Sequence, residues 1–138
     1  MAGRSEARGS GHRADRGYRI LVVDDEDAIR DALVEILGGH GYTAVGATDG
    51  RDGLRKLRAA RGAFDLILLD LTMPLLDGRG FREEQRRDPA LAAIPIIVLS
   101  AFHDVAAKAA ELAAAAYLAK PLNLPVLIEL VRQHLPRR

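Results

Sequence analysis

The sequence predicts an α/β fold in which helices cover both faces of an open, doubly wound parallel sheet. Five short segments have continuous rather than alternating apolar residues, which is typical of strands that are buried on both faces rather than on one. Between them lie segments whose apolar residues recur at helical spacing, and this alternation is typical of parallel α/β sheets. A chain of 138 residues has room for one such domain.

The five predicted strands are the apolar runs themselves, of which the fifth is the weakest. In chain order they are RILVVDD (19–25), TAVGAT (43–48), DLILLD (65–70), IPIIVLS (94–100) and AAYLAK (115–120).

The first two helices are predicted from their apolar stripes. Gly38-Gly39 should end the first helix, and Asp49 should cap the second. The stripe residues are Ile29, Leu33, Ile36 and Leu37 in the first helix and Leu54 and Leu57 in the second.

Three more helices follow. We expect the third over 77–87, closed near Pro89, and the fourth from a cap at Asp104 through Leu112. The fifth should run over Leu124–Leu135.

Composition narrows the class of protein. The chain has no cysteine, which excludes disulfides and thiolate metal sites. No apolar run approaches the roughly 20 residues that span a bilayer, and no secretory signal follows the N-terminal arginines. We therefore expect a cytoplasmic protein without a membrane partner.

The N-terminal segment differs from the rest. Residues 1–19 hold five arginines against Glu6 and Asp15, with almost nothing apolar before Tyr18. We expect a disordered basic tail over 1–17 and a folded domain over 18–136. The tail could contact nucleic acid, but a solvated leader is the favoured interpretation, because no reading helix or second domain supports nucleic-acid binding.

Four predicted strands end on polar residues that should meet at one edge of the sheet. Three clustered carboxylates would raise one another's pKa, and a divalent cation relieves this repulsion. Oxygen ligands without His or Cys favour Mg²⁺, while a lysine and a hydroxyl could hold an anionic oxygen. These groups describe a site that moves a phosphoryl group onto or off Asp70. They are Asp24, Asp25, Asp70, Ser100 and Lys120.

Four motifs make the prediction specific, because they occur in one order and spacing. Over roughly residues 18–136 the sequence resembles the receiver domains of two-component response regulators. That family has five strands in the flavodoxin-like order 2-1-3-4-5 and five helices. The motifs are ILVVDDE (20–26), LILLDLTMPLLDG (66–78), IPIIVLSA (94–101) and YLAKPL (117–122).

The resemblance implies a role for each acid. Asp70 would be the phosphoacceptor. Asp24, Asp25 and Asp70 would hold Mg²⁺, and Asp25 would coordinate it directly. The backbone carbonyl of Thr72 would be a further ligand. Alternatively, Asp24, Asp25 and Glu26 could simply begin a helix, where acids suit the helix dipole.

The resemblance also implies a switch. Lys120 would pair with the phosphoryl group and precede Pro121 through a cis bond, which only X–Pro allows at low cost. The hydroxyl of Ser100 would move to a phosphoryl oxygen, and the ring of Tyr117 would swing inward.

Two further positions should tune the loss of the phosphoryl group. Thr72 and Phe102 lie two residues beyond the phosphoacceptor and the switch hydroxyl. Because Phe102 cannot hydrogen-bond to water and Thr72 has only a short hydroxyl, we expect slow spontaneous hydrolysis.

One stretch departs from the family pattern. Ala113–Ala116 stand where receivers commonly have Gly-Ala and acidic residues. Alanine disfavours a positive φ, so we expect a reshaped turn after the fourth helix. The face formed by the fourth helix, fifth strand and fifth helix, where a homodimer could form, has few distinctive side chains.

The implied partners are a sensor histidine kinase or histidine phosphotransfer protein and a downstream protein target. The chain would not be an enzyme.

Two alternative functions stay open at this point. A phosphatase resembling the haloacid dehalogenases would also use the DLT sequence, but with its nucleophile near the chain start. An adaptor would keep the fold without phosphorylation, but none of the site residues is missing.

Overall fold

A computed structural model describes residues 17–71, 77–101 and 104–136 of the chain. Within these residues five parallel strands form one sheet in the order β2-β1-β3-β4-β5, and five helices alternate with them. The predicted fold class and strand order are confirmed. The strands are β1 (Arg19–Val23), β2 (Thr43–Ala47), β3 (Leu66–Asp70), β4 (Ile96–Ser100) and β5 (Ala116–Ala119). The helices are α1 (Asp27–Gly39), α2 (Gly50–Ala59), α3 (Gly78–Arg87), α4 (Val105–Glu111) and α5 (Leu124–His134).

Each face of the sheet has its own apolar layer. On one face α2, α3 and α4 pack against the sheet through residues such as Leu57 and Phe81. On the other face α1 and α5 contribute residues such as Leu37 and Val131. Every residue of β3 and β4 is buried, as their uninterrupted apolar sequence predicts.

Three helix ends lie next to residues that the sequence marks as caps or stops. Asp49 caps α2, because its side chain accepts a hydrogen bond from the backbone N–H of Asp52 at 2.8 Å. Asp104 precedes α4 but makes no side-chain capping bond. Helix α1 ends at Gly39 as predicted, and the left-handed residue follows two positions later, at Gly41 with φ 92°.

The turn after α4 corrects one expectation. Ala113 has φ 54°, so the left-handed conformation is present although glycine is absent, and the predicted reshaping is wrong. Arg82 of α3 explains how the turn is held. Its Nε donates to the carbonyl of Leu112 at 2.8 Å, and its Nη2 donates to the carbonyl of Ala113 at 3.3 Å.

The two ends of the domain lie side by side. The hydroxyl of Tyr18, just before β1, donates a hydrogen bond to the carbonyl of Pro136, just after α5. Tyr18 is buried and contacts the ring of Tyr42. Among the described residues, no helix is long and apolar enough to cross a membrane.

Candidate functional site

The polar residues predicted at the strand ends lie at one edge of the sheet. Asp24 directly follows β1, Asp70 is the last residue of β3, Ser100 is the last of β4, and Lys120 directly follows β5. The strands are parallel and paired in register along their length. Their carboxyl ends therefore bring these four side chains to the same edge, which is where open α/β sheets bind ligands.

Three carboxylates form the centre of this edge. Asp24, Asp25 and Asp70 each have a carboxylate oxygen within 4.8 Å of the others. Asp24 and Asp70 are buried, whereas Asp25 is exposed, so the cluster opens to solvent on the side of Asp25. Buried anions need compensation, and a set of hard oxygen ligands open on one side suits a divalent cation such as Mg²⁺.

Lys120 is the cation of the cluster. Its Nζ lies 3.2 Å from Oδ2 of Asp24, 3.6 Å from Oδ2 of Asp70 and 3.6 Å from Oε1 of Glu26. Burial alone would lower the pKa of Lys120, but the carboxylates of Asp70, Asp24 and Glu26 outweigh it and raise that pKa above its usual value. Lys120 therefore carries a positive charge at neutral pH and lies within reach of Asp70.

Asp24 is held at every polar atom. Its backbone N–H donates to the carbonyl of Ala47 at 3.1 Å. Its Oδ1 accepts from the backbone N–H of Glu26 at 2.9 Å, and its Oδ2 accepts from Lys120. Its carbonyl accepts from Nη1 of Arg30 at 3.0 Å. These four contacts fix the position of Asp24 within the fold.

The other predicted residues occupy different environments. Ser100 is buried at the end of β4, and its carbonyl accepts from the backbone N–H of Lys120 at 2.8 Å. The Lys120–Pro121 peptide is cis. Tyr117 pairs with Val98 in the middle of β5 and is 48% exposed, so its ring lies outside the acid cluster.

Two predicted residues cannot be placed. Thr72, predicted both as a carbonyl ligand and as a residue tuning hydrolysis, lies outside the described residues, as does Phe102. The tail over 1–16 does as well. Their roles stay predictions.

Sequence reasoning missed the contributions of Glu26 and Arg30. The sequence pattern assigns Glu26 only to the start of a helix, yet its side chain reaches Lys120. The motifs do not include Arg30, and the one sequence signal for it is Gly46, within β2. A glycine inside a strand often marks the close approach of another group, and here that group is the side chain of Arg30.

Comparisons with known proteins agree with this geometry. The family model described as the response regulator receiver domain matches residues 20–132. The chain is 40% identical over 121 residues to the probable transcriptional regulator ycf27 of Cyanophora paradoxa, covering 86% of this chain and 48% of that protein. It is 35% identical over 113 residues to the chemotaxis protein CheY of Treponema pallidum, covering 81% and 78%. The chain thus spans about half or less of the length of its ycf27 relatives.

Solved structures show the same fold. Chemotaxis response regulator CheY4 of Vibrio cholerae superposes with a TM-score of 0.78 at 31% identity, covering 86% of this chain and 98% of that one. Response regulator TrrA of Thermotoga maritima, solved in complex with Mg²⁺-BeF, has a TM-score of 0.75 at 36% identity, covering 86% and 99%. Because the family match runs through every strand and the whole acid cluster, the chain belongs to the response regulator receiver domains of two-component systems.

Proposed function

We propose that this receiver accepts a phosphoryl group on Asp70 from a histidine of a sensor kinase or phosphotransfer protein. The observation that carries the proposal is the buried Asp70, which ends β3 beside two further carboxylates and 3.6 Å from Lys120. A carboxylate oxygen of Asp70 would attack phosphorus while the P–N bond to the donor histidine breaks. The bonding electron pair stays on the imidazole nitrogen, which then takes up a proton.

Asp24, Asp25 and Asp70 would hold Mg²⁺ for this transfer, with the carbonyl of Thr72 as a further ligand. The cation would neutralise the carboxylates and the phosphoryl oxygens that must approach them. The TrrA relative, solved with Mg²⁺-BeF, supports this choice of cation.

Lys120 would then exchange carboxylate partners for a phosphoryl oxygen. Its Nζ lies between 3.2 and 3.6 Å from three acids, so a short side-chain movement suffices. The hydroxyl of Ser100 would donate to another phosphoryl oxygen, and the exposed ring of Tyr117 would turn inward.

The output of this switch would be a change in protein contacts. We propose that the face formed by α4, β5 and α5 binds a downstream protein or a second copy, that the chain turns over no substrate of its own, and that it binds no nucleic acid directly. A phosphoryl lifetime set at Thr72 and Phe102, and a cytoplasmic location, belong to the same proposal.

Acetyl phosphate tests the transfer directly, because it replaces the kinase. We expect intact-protein mass spectrometry to show one added phosphoryl group with Mg²⁺, none in excess EDTA, and none on Asp70→Asn. Asp65→Asn is the matched control, since Asp65 lies just before the other end of β3 and should leave phosphorylation unchanged.

Three results would contradict the proposal. Equal phosphorylation of Asp70→Asn would remove Asp70 as the acceptor. Turnover of a generic phosphomonoester would instead favour the phosphatase alternative, and failure to bind beryllofluoride with Mg²⁺ would favour the adaptor.

A further inference from the structure

We infer that Arg30 is a positioning residue for the acid pair, because it fixes the peptide that joins Asp24 to Asp25. Arg30 would not touch the metal or the phosphoryl group. It would set the direction in which Asp25 presents its carboxylate. The inference rests on the proposed Mg²⁺ binding at this site.

The side chain of Arg30 is mostly buried and contacts the backbone at the end of β1. Its Nη1 donates to the carbonyl of Asp24 at 3.0 Å, and only 12% of its side chain is exposed. Its two acidic neighbours, Asp27 at 2.6 Å and Asp31 at 3.9 Å, are 83% and 76% exposed. Exposed ion pairs contribute little to stability, so the contact with structural effect is the one to the carbonyl of Asp24.

The sheet leaves space for this side chain. A Cβ added at Gly46 of β2 would lie 3.0 Å from Cδ and 3.1 Å from Cγ of Arg30. A side chain at Gly46 would therefore force the stem of Arg30 to shift by a few tenths of an ångström. The guanidinium is thus confined between β2 and the end of β1.

The hydrogen bond from Arg30 holds the backbone carbonyl of Asp24, whose other polar groups have partners elsewhere. The N–H of Asp24 is held by Ala47, and its carboxylate is held by Glu26 and Lys120. Its carbonyl belongs to the peptide that leads to Asp25. Because a peptide is planar, fixing this carbonyl also fixes the N–H of Asp25 and the direction in which the chain continues.

A positioning role and a purely electrostatic role of Arg30 predict opposite changes in Mg²⁺ affinity when Arg30 is replaced. A guanidinium near the acid cluster repels an incoming cation, so removing its charge should strengthen Mg²⁺ binding. A positioning role predicts weaker binding, as is found when groups that orient metal ligands are removed. The two roles therefore differ in sign.

Titration calorimetry of the full chain with Mg²⁺ distinguishes them. We expect Arg30→Lys, which keeps the charge and loses the planar fork, and Arg30→Gln, which loses both, to bind Mg²⁺ about tenfold more weakly. Arg55→Lys and Arg55→Gln are matched controls, because Arg55 pairs with Asp52 in the same i,i+3 geometry on α2. Both controls should bind like wild type.

Gly46→Ala supplies a second variant that leaves every charge in place. It should also weaken Mg²⁺ binding, with melting in EDTA confirming that the variant is folded. Wild-type affinity in Arg30→Lys or in folded Gly46→Ala, or tighter binding by Arg30→Gln, would overturn the inference. Absence of Mg²⁺ binding by the wild type would instead overturn the proposed function and, with it, the basis of the inference.

Discussion

The ammonium of Lys120 contacts the two buried carboxylates of the site, and those carboxylates raise its pKa. A raised pKa in the folded protein means that the contribution of these ion pairs to stability is fully present below the ordinary value of 10.5. It is lost only as the pH rises through the higher folded value. Across the neutral range, Lys120 therefore competes with any cation for the oxygens of Asp24 and Asp70.

This competition gives a prediction at the scale of the residue. Lys120→Gln should bind Mg²⁺ about three- to tenfold more tightly, because a like charge is removed from the cation site. Calorimetric titration with Mg²⁺ measures the change. Lys108→Gln is the control, since Lys108 pairs with Asp104 on α4 and should leave the affinity unchanged. Unchanged or weaker binding by Lys120→Gln would contradict the competition.

At the scale of the element, the turn after α4 holds an alanine in a conformation that glycine adopts more easily. For an L-residue the left-handed region costs about 1–2 kcal/mol, and Ala113 occupies it at φ 54°. The hydrogen bonds from Arg82 to the carbonyls of Leu112 and Ala113 offset this cost. The conformation of this turn therefore depends on Arg82 of α3 as well as on the residues of the turn itself.

Ala113→Gly should consequently stabilise the domain. We expect about 0.5–1 kcal/mol after the greater backbone entropy of glycine in the unfolded chain is subtracted, or a rise of a few degrees in melting temperature. Thermal unfolding followed by circular dichroism measures it. Ala115→Gly, at the residue directly before β5 and without a positive φ, should lower the melting temperature instead. A less stable Ala113→Gly would show that the alanine is not strained.

The elements also show what sequence can and cannot predict. Uninterrupted apolar runs and a parallel topology were enough to bring Asp70 and Lys120 together, and a single side chain was enough to cap α2. The conformation of Ala113 could not be predicted, because it depends on donors from another helix. The bond from Arg30 to a backbone carbonyl leaves no motif among the side chains of the site, and only the glycine at position 46, in β2, indicates its close approach.

At the scale of the whole molecule, residues 1–16 offer little to a hydrophobic core, because apart from Met1 they hold no apolar side chain larger than alanine. Deleting residues 1–16 should therefore leave the melting temperature and the phosphorylation by acetyl phosphate unchanged. Deleting residues 1–18 is the contrasting control, because it removes the buried Tyr18 and its bond to Pro136. A loss of several degrees in the shorter deletion, which means more than about 1 kcal/mol, would show that the tail packs on the domain.

The hydrogen bond between Tyr18 and Pro136 has a consequence for how such a domain can be combined with others. The chain enters and leaves at neighbouring points, so the domain could be inserted into a surface loop of a host protein without separating the two sides of that loop. Both points lie at the amino ends of the strands, across the sheet from Asp70. A host attached there is separated from the acid cluster by the length of a five-residue strand, about 16 Å, and would sense it only through the body of the sheet and its helices.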